Sequence, residues 1–319
     1  ILGIQIIRNR AERTLSLNQS LYTKRFLEEL NLADLPHHDT PMVSNWTPDM
    51  AVPQACTDLV AKFPYRRIIG KVIHLVNHTR PDIAYANNRL CRFLAAPTPA
   101  CIAAVFHLCG YLSATLSKGL VYRGRNNVNY ATLIADVDSS CPQPFLVGFS
   151  DASWGSSPAD SEKQMSTSGG AVFTYADFEV GDLLSWSSRK QIITARSSAE
   201  SELVAASEHS CEVTGMQQNY SDLGINSSHP IPIRLDSQAC LDIIANPINH
   251  KKNKHIQYRY FHIRELQSRK IIKPSWISTK EMIADIFTKP LPAADFLKFR
   301  KYLVHDIDSA ALTDESSAT

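Results

Sequence analysis

The sequence predicts an α/β protein in two parts: a mainly helical front, then a five-stranded mixed sheet flanked by helices. Three observations carry this. The second half alternates short, apolar, strand-like runs with stretches of helical period. The first half carries longer helical periods interrupted by prolines. Between them, residues 124–144 are polar and turn-rich, with G-R-N-N and S-S-C-P-Q-P, which is the composition of a linker.

Taken in order, residues 1–8 alternate weakly as a strand, and T-L-S-L-N (14–18) predicts a second, with N-R-A-E-R as the turn. Gln19 to Leu32 places apolar residues at Leu21, Phe26, Leu27, Leu30 and Leu32, an amphipathic helix. Residues 36–58 hold Pro36, Pro41, Pro48 and Pro53 and predict a loop. Tyr65 to Leu94 predicts two helices broken at T-R-P-D (79–82), because Pro81 lacks a donor and biases Arg80 away from helix. A third helix runs from about Pro99 to Leu116, with Gly119 as its cap.

In the second half, Phe145–Phe149, Gly169–Tyr175 and Leu183–Trp186 predict three strands. Ser197 or Ser198 caps a helix to about Tyr220. I-P-I-R-L (231–235) is a fourth strand, followed by a short helix from Gln238 to Ala245. A basic helix spans about Ile256–Arg269, residues 271–277 form a fifth strand, and Lys280–Thr288 opens a last helix. The Ser/Ala-rich, acidic tail is expected to be disordered. The expected domains are 1–123, a linker 124–144, 145–304 and a tail 305–319.

Composition narrows the class. A chain of 319 residues has room for two domains and a real core, and 44% apolar with 20% charged residues is ordinary for a soluble protein. No window is long and apolar enough to cross a membrane. The opening I-L-G-I-Q-I-I lacks the basic start of a signal peptide, and a chain starting inside a strand without Met is expected to be a piece of a longer polypeptide. The cysteines Cys56, Cys91, Cys101, Cys109, Cys141, Cys211 and Cys240 are odd in number and form no C-x-x-C pair. That argues against a disulfide framework or zinc site and for a reducing compartment. Net charge is +2, yet Lys251 to Lys301 holds 13 Lys/Arg against 4 Asp/Glu. Such a segment is either a footprint for a phosphate backbone or a solvated helix face.

Four carboxylates stand where strands end or helices begin: Asp151, Glu202, Asp236 and Asp285. Any one alone is an ordinary cap or surface acid. Four together, with no His/Cys cage, suit a hard cation such as Mg²⁺ rather than Zn²⁺. Glu200 rivals Glu202: two residues apart, they point about 200° apart on a helix, and only one can face a metal. Periodicity does not separate them. Trp154 and Trp186 are expected in the core.

The wording around these residues resembles the Pol polyprotein of copia-type LTR retrotransposons. In the first half I-L-G-I, Y-R-R-I-I-G-K-V-I-H-L and T-R-P-D-I-A-Y-A follow in family order. The second half carries G-F-S-D-A-S-W, S-T-S-G-G, L-S-W-S-S-R-K-Q, S-S-A-E-S-E-L, D-S-Q-A, K-H-I-Q-Y-R-Y-F-H-I-R-E and A-D-I-F-T-K-P-L. The resemblance implies a ribonuclease H domain preceded by the end of a reverse-transcriptase palm with its thumb and connection, and no Y-x-D-D polymerase motif is present. It implies an endonuclease cutting the RNA strand of RNA·DNA hybrids with two Mg²⁺ ions, Mn²⁺ substituting. The ligands would be Asp151, Glu202, Asp236 and Asp285, with the spacing E-L-x-A favouring Glu202 over Glu200. Ser153, Ser198, Ser237 and Gln238 are expected to touch sugars or phosphates. Lys251, Lys252, Lys254, Arg259 and Arg264 are expected to line the backbone, with His255 as a stand-in for a mobile histidine near the last Asp. Gln257 and the Y-F-H-I-R order, which moves an imidazole to His262, depart from the family. The implied partners are the hybrid and the upstream palm and fingers, with no membrane. The implied place of work is a cytoplasmic particle, then the nucleus.

Three other readings compete. A decayed or domesticated element would leave an inactive nucleic-acid clamp. A transposase or integrase would place a third acid about 35 residues past Asp236, where only Glu265 is near. A purely structural subunit would support a polymerase half supplied elsewhere.

Overall fold

The computed structural model describes residues 2–124, 146–155, 165–176, 179–226, 229–245 and 254–307. It divides into two units, residues 1–124 with 289–319, and residues 125–288. The expected second domain, 145–304, therefore stops short: residues from 289 on group with the front of the chain. The expected linker lies almost wholly outside the described residues, as does the tail beyond Ile307. Among the described residues no helix is long and apolar enough to cross a membrane, and Cys56, Cys91, Cys101, Cys109, Cys211 and Cys240 are free thiols.

The first unit has an antiparallel sheet of β1 (Gln5–Asn9), β2 (Thr14–Asn18), β3 (Lys118–Arg123) and the short β9 (His305–Asp306), in that order. Its helices are α1 (Ser20–Glu29), α2 (Gln54–Leu59), α3 (Tyr65–His78), α4 (Ala84–Cys91), α5 (Pro99–Ala114) and the C-terminal α9 (Ala293–Leu303). Ile68, Ile69, Val72 and Leu75 bury the apolar stripe of α3, each side chain contributing about 1.5–3 kcal/mol. T-R-P-D breaks the helix as predicted, and a 3₁₀ turn (Pro81–Ile83) starts the next one. Three expectations are corrected. The loop 36–58 yields to α2 near its end. Gly119 is no helix cap but lies within β3, where an added Cβ would stand 2.4 Å from the Leu17 carbonyl oxygen. The tail expected to be disordered from 305 begins with β9, which pairs with β3.

The second unit holds a five-stranded sheet in the order β6-β5-β4-β7-β8. Its strands are β4 (Leu146–Ser153), β5 (Thr167–Ala176), β6 (Glu179–Lys190), β7 (Ile231–Leu235) and β8 (Ile272–Trp276). The first three are antiparallel neighbours, while β4, β7 and β8 run parallel. Helices α6 (Ser198–Asp222), α7 (Gln238–Ala245) and α8 (Lys254–Ser268) complete it. One face of the sheet is sealed by Leu203, Ala206 and Val213 of α6, Ile244 of α7 and Ile263 of α8, against Leu146, Ile231, Ile233 and Ile272. The predicted helix 280–288 is instead two 3₁₀ segments, Thr279–Glu281 and Ile283–Phe287.

Two glycines let α6 lie close on the sheet. A Cβ at Gly170 would meet His209 Nδ1 at 2.5 Å, and one at Gly148 would meet His209 Nε2 at 2.7 Å. The imidazole is 6% exposed and donates to the Ala171 carbonyl. Burial pulls its pKa down to about 4, against the smaller opposing pull of Glu212. The unfolded chain therefore binds a proton between roughly pH 6.5 and 4 that the folded chain refuses, so stability falls as pH drops through that window. The full loss should be about 3 kcal/mol. Urea midpoints at pH 7 and pH 4 should differ more in the wild type than in His209→Asn, and equal differences would show that His209 is not the group responsible.

Candidate active site

Asp151 lies two residues inside the end of β4, not at its end as expected, and pairs with Gly169 of β5. Gly169 admits the 283–287 turn to that face, since a Cβ would stand 2.5 Å from Thr288 Cγ2 and 2.9 Å from Phe287 Cβ. The S-T-S-G-G run thus serves both faces of the sheet, because neighbouring strand residues point to opposite sides. The turn carries Asp285 toward Asp151, and Thr288 closes it. The Thr288 hydroxyl lies against Asp151 Oδ2 and within 3.2 Å of the Asp285 carbonyl oxygen.

Asp236 is the first residue after β7. The parallel register pairs Phe149 with Arg234, and two residues further along, that register sets Asp236 beside Asp151. Thr279 donates to Asp236 Oδ2 at 2.8 Å. Carboxylate oxygens of Asp151, Asp236 and Asp285 all lie within 4.8 Å of one another. Asp151 and Asp285 are buried, and Asp236 is half-buried.

Glu202 reaches this cluster from the first turns of α6. It is 6% exposed, and its Oε2 has no hydrogen-bond partner among the described residues. Burial first, then the charges of Asp151 and Asp236, push its carboxyl up to about 10. A hydrogen bond with Asp151 requires one proton between the two. Glu200 does other work: it accepts the Arg196 backbone N–H at 2.9 Å, while Ser197 Oγ accepts the Glu200 N–H at 3.2 Å. That reciprocal cap starts α6 and leaves Glu202 as the glutamate beside the aspartates.

The fit to a divalent cation follows from the donor set. Every group is a carboxylate, and the crowding of like charges is relieved by positive charge between them. Asp151, Asp236 and Asp285 would hold the ion or ions, with Glu202 adjoining, and Thr288 and Thr279 orient two of the ligands. Nothing in the sequence pattern marks Thr288, Thr279 or Gly169 as site residues, although Gly169 lies in S-T-S-G-G and Thr288 in A-D-I-F-T-K-P-L.

The expected nucleic-acid contacts are dispersed. Ser153 ends β4 and Ser198 begins α6. Ser237 Oγ accepts the Cys240 N–H at 3.2 Å, and Gln238 Nε2 donates to Asp242 at 2.9 Å, so both brace α7. On α8, Arg259 faces Glu208 of α6 at 3.9 Å, and Arg264 donates to the Tyr260 hydroxyl at 2.6 Å. Lys251 and Lys252 lie outside the described residues, as do the side chains of Lys254 and His255. Trp186 is half-buried, while Trp154, expected in the core, is 50% exposed.

Three antiparallel strands followed by two parallel ones, with helices between, make the second unit a ribonuclease H-like α/β fold bearing a carboxylate cluster near the C-terminal ends of β4 and β7. By sequence, the chain is a homologue of the retrovirus-related Pol polyproteins of copia-type transposons. It is 30% identical over 299 residues to the Pol polyprotein of transposon TNT 1-94 from Nicotiana tabacum, covering 93% of this chain and 21% of that one. It is 30% identical over 300 residues to that of transposon RE2 from Arabidopsis thaliana, covering 94% and 18%. The chain thus spans about a fifth of the length of these relatives. A 145-residue stretch is 33% identical to a secreted RxLR effector protein of Plasmopara viticola, covering 46% of this chain and 85% of that one. No protein-family model matches. Among solved structures, an N-terminal RNase H domain from Mycobacterium tuberculosis aligns at 15% identity with a TM-score of 0.32, over 49% of this chain and 96% of that one. An RNase H1 solved with an RNA/DNA hybrid aligns at 13% identity with a TM-score of 0.32, over 45% and 93%. The strand order β6-β5-β4-β7-β8 itself defines the fold.

Proposed function

We propose that this chain is the ribonuclease H part of a retrotransposon Pol polyprotein, hydrolysing the RNA strand of RNA·DNA hybrids with Mg²⁺. The observation that carries this is the meeting of Asp151, Asp236 and Asp285 within 4.8 Å, with Glu202 buried beside them. Two divalent ions at such a site supply an activated water and stabilise the departing 3′-oxygen, with Mn²⁺ as a substitute. The chain's own part is to hold the carboxylates at fixed separation. Thr288 and Thr279 set the rotation of Asp151 and Asp236, and the Gly169 contact holds the Asp285 turn against β5, beside Asp151. The first unit, by homology with Pol, would grip the hybrid together with an upstream palm and fingers. The setting would be a cytoplasmic particle and later the nucleus.

The test is cleavage of an end-labelled RNA·DNA hybrid with Mg²⁺, with EDTA, and with Asp236→Asn. RNA-strand cutting that needs the metal and vanishes in the variant is the expected result, with duplex DNA left intact. A hybrid that is bound but never cut, under Mg²⁺ or Mn²⁺, would replace this reading with the inactive clamp.

A further inference from the structure

Two tryptophans are exposed at the C-terminal ends of β4 and β8, on either side of β7: Trp154 is 50% exposed and Trp276 56%. An indole is among the largest apolar groups a protein can bury, and exposed apolar surface gathered at one place marks a contact site. The sheet register places them. Strands β4, β7 and β8 are parallel, so their C-terminal ends open on one edge. Trp154 follows the last residue of β4, three past Asp151. Trp276 ends β8 and pairs with Leu235, the residue before Asp236. The strand end bearing Asp236 lies between them, and the β8 column stands about 10 Å from β4.

Trp154 is held, not loose. Its Nε1–H donates to the Ala195 carbonyl at 3.0 Å. Gln191, in the same segment, donates to Ser168 Oγ at 3.0 Å and to the Ser201 carbonyl at 2.9 Å, tying it to β5 and α6. From this anchored strap Ile192 projects 80% exposed. Lys190 and Arg196 stand exposed at its two ends, and neither makes an ion pair among the described residues.

Flat apolar rings beside exposed cations suit a nucleic-acid duplex: phosphates meet the cations, and the sugars along the groove meet the rings. The indole N–H of Trp154 is already used by Ala195, so that ring offers its face and no base-reading hydrogen bond. We propose that Trp154 and Trp276 are two contact platforms flanking the carboxylates that seat a nucleic-acid duplex across them by shape rather than sequence, with Lys190 and Arg196 neutralising phosphates beside Trp154. This rests on the nuclease reading.

The test is anisotropy of a fluorescein-labelled RNA·DNA hybrid over a salt series, with the full chain carrying Asp236→Asn so that nothing is cut. Trp154→Ala and Trp276→Ala should each weaken binding about tenfold, the loss of an aromatic anchor at an interface, with the salt slope unchanged. Trp154→Phe should recover most of the loss. Lys190→Ala with Arg196→Ala should make the slope of log affinity against log salt shallower by about 1.8. Trp276→Ala removes a mostly exposed side chain, so its folding, checked by thermal melting, keeps the test open should Trp154→Ala misfold. If the unmutated chain cuts hybrid but the tryptophan variants bind as tightly as their parent, the platforms fall and the nuclease reading stands. If the unmutated chain neither binds nor cuts, both fall.

Discussion

Glu202→Gln should make the metal-free protein more stable while removing hybrid cleavage. In the folded, metal-free chain the Glu202 carboxyl is raised to about 10, by burial first and then by Asp151 and Asp236. Unfolded, it titrates near 4.5. Between those limits the folded state binds the extra proton, so the group's cost to stability is nil below 4.5 and grows as pH rises toward 10. At pH 7 that cost is about 1–3 kcal/mol, and the neutral amide escapes it. With Mg²⁺ the order should reverse, because binding to the folded state alone stabilises by mass action and the variant holds the ion less well. Cleavage should fall by more than the roughly 10–100-fold typical when a group merely supporting a ligand is lost. Urea unfolding at pH 7 in EDTA and in Mg²⁺, with cleavage on the same samples, checks all three. Equal midpoints in EDTA for wild type and variant would mean that Glu202 carries no electrostatic strain.

The same crowding explains what the sequence revealed and what it hid. Short elements with their own punctuation were legible: Ile231–Leu235 and Gln238–Ala245 match their predicted bounds, one set by alternating apolar residues and the other by Ser237 at its start. Elements fixed by a distant neighbour were not. M-I-A-D-I-F has a helical look, yet it is a 3₁₀ turn pressed onto Gly169, more than a hundred residues earlier. Gly119 looked like a helix stop because its real reason, the Leu17 carbonyl 2.4 Å from where a Cβ would be, lies across the sheet. The candidate carboxylates are legible because each has its own local setting; periodicity leaves Glu202 and Glu200 unseparated, the family resemblance favours Glu202, and Glu200 caps α6. Trp154 was misplaced for the opposite reason: an apolar residue after a buried strand looks like core unless its surroundings are known.

Asp82→Ala should cost the first unit about 3–5 kcal/mol, the loss expected when one member of a buried ion pair is removed and the other charge stays behind. Arg80 and Asp82 side chains are 3% and 0% exposed. Arg80 Nε and Nη2 reach the two carboxylate oxygens at 2.9 and 2.8 Å, a two-pronged pairing. Tyr111 of α5 donates to Asp82 Oδ2 at 2.6 Å, and two further Arg80 N–H groups go to Thr115 Oγ1 at 2.7 Å and its carbonyl at 3.1 Å. Arg300 of α9 approaches the Tyr111 hydroxyl at 3.4 Å. The T-R-P-D corner thereby joins α5 and the returning C-terminal helix. Burial pushes the Asp82 carboxyl up, but the Arg80 charge, the hydrogen bonds from Arg80 and Tyr111, and Arg300 outweigh it and hold the group below the ordinary carboxylate range. Truncation to alanine leaves Arg80 buried with two donors unmatched and empties the acceptor of Tyr111. The double variant Arg80→Met with Asp82→Leu removes both charges together and should lose much less than the single one, as apolar replacement of a whole buried pair is often tolerated. Chemical denaturation of the three proteins separates the alternatives. A double variant as unstable as Asp82→Ala would mean that the pair is needed for its shape and bonding to Tyr111 and Thr115, and not because a stranded charge is costly.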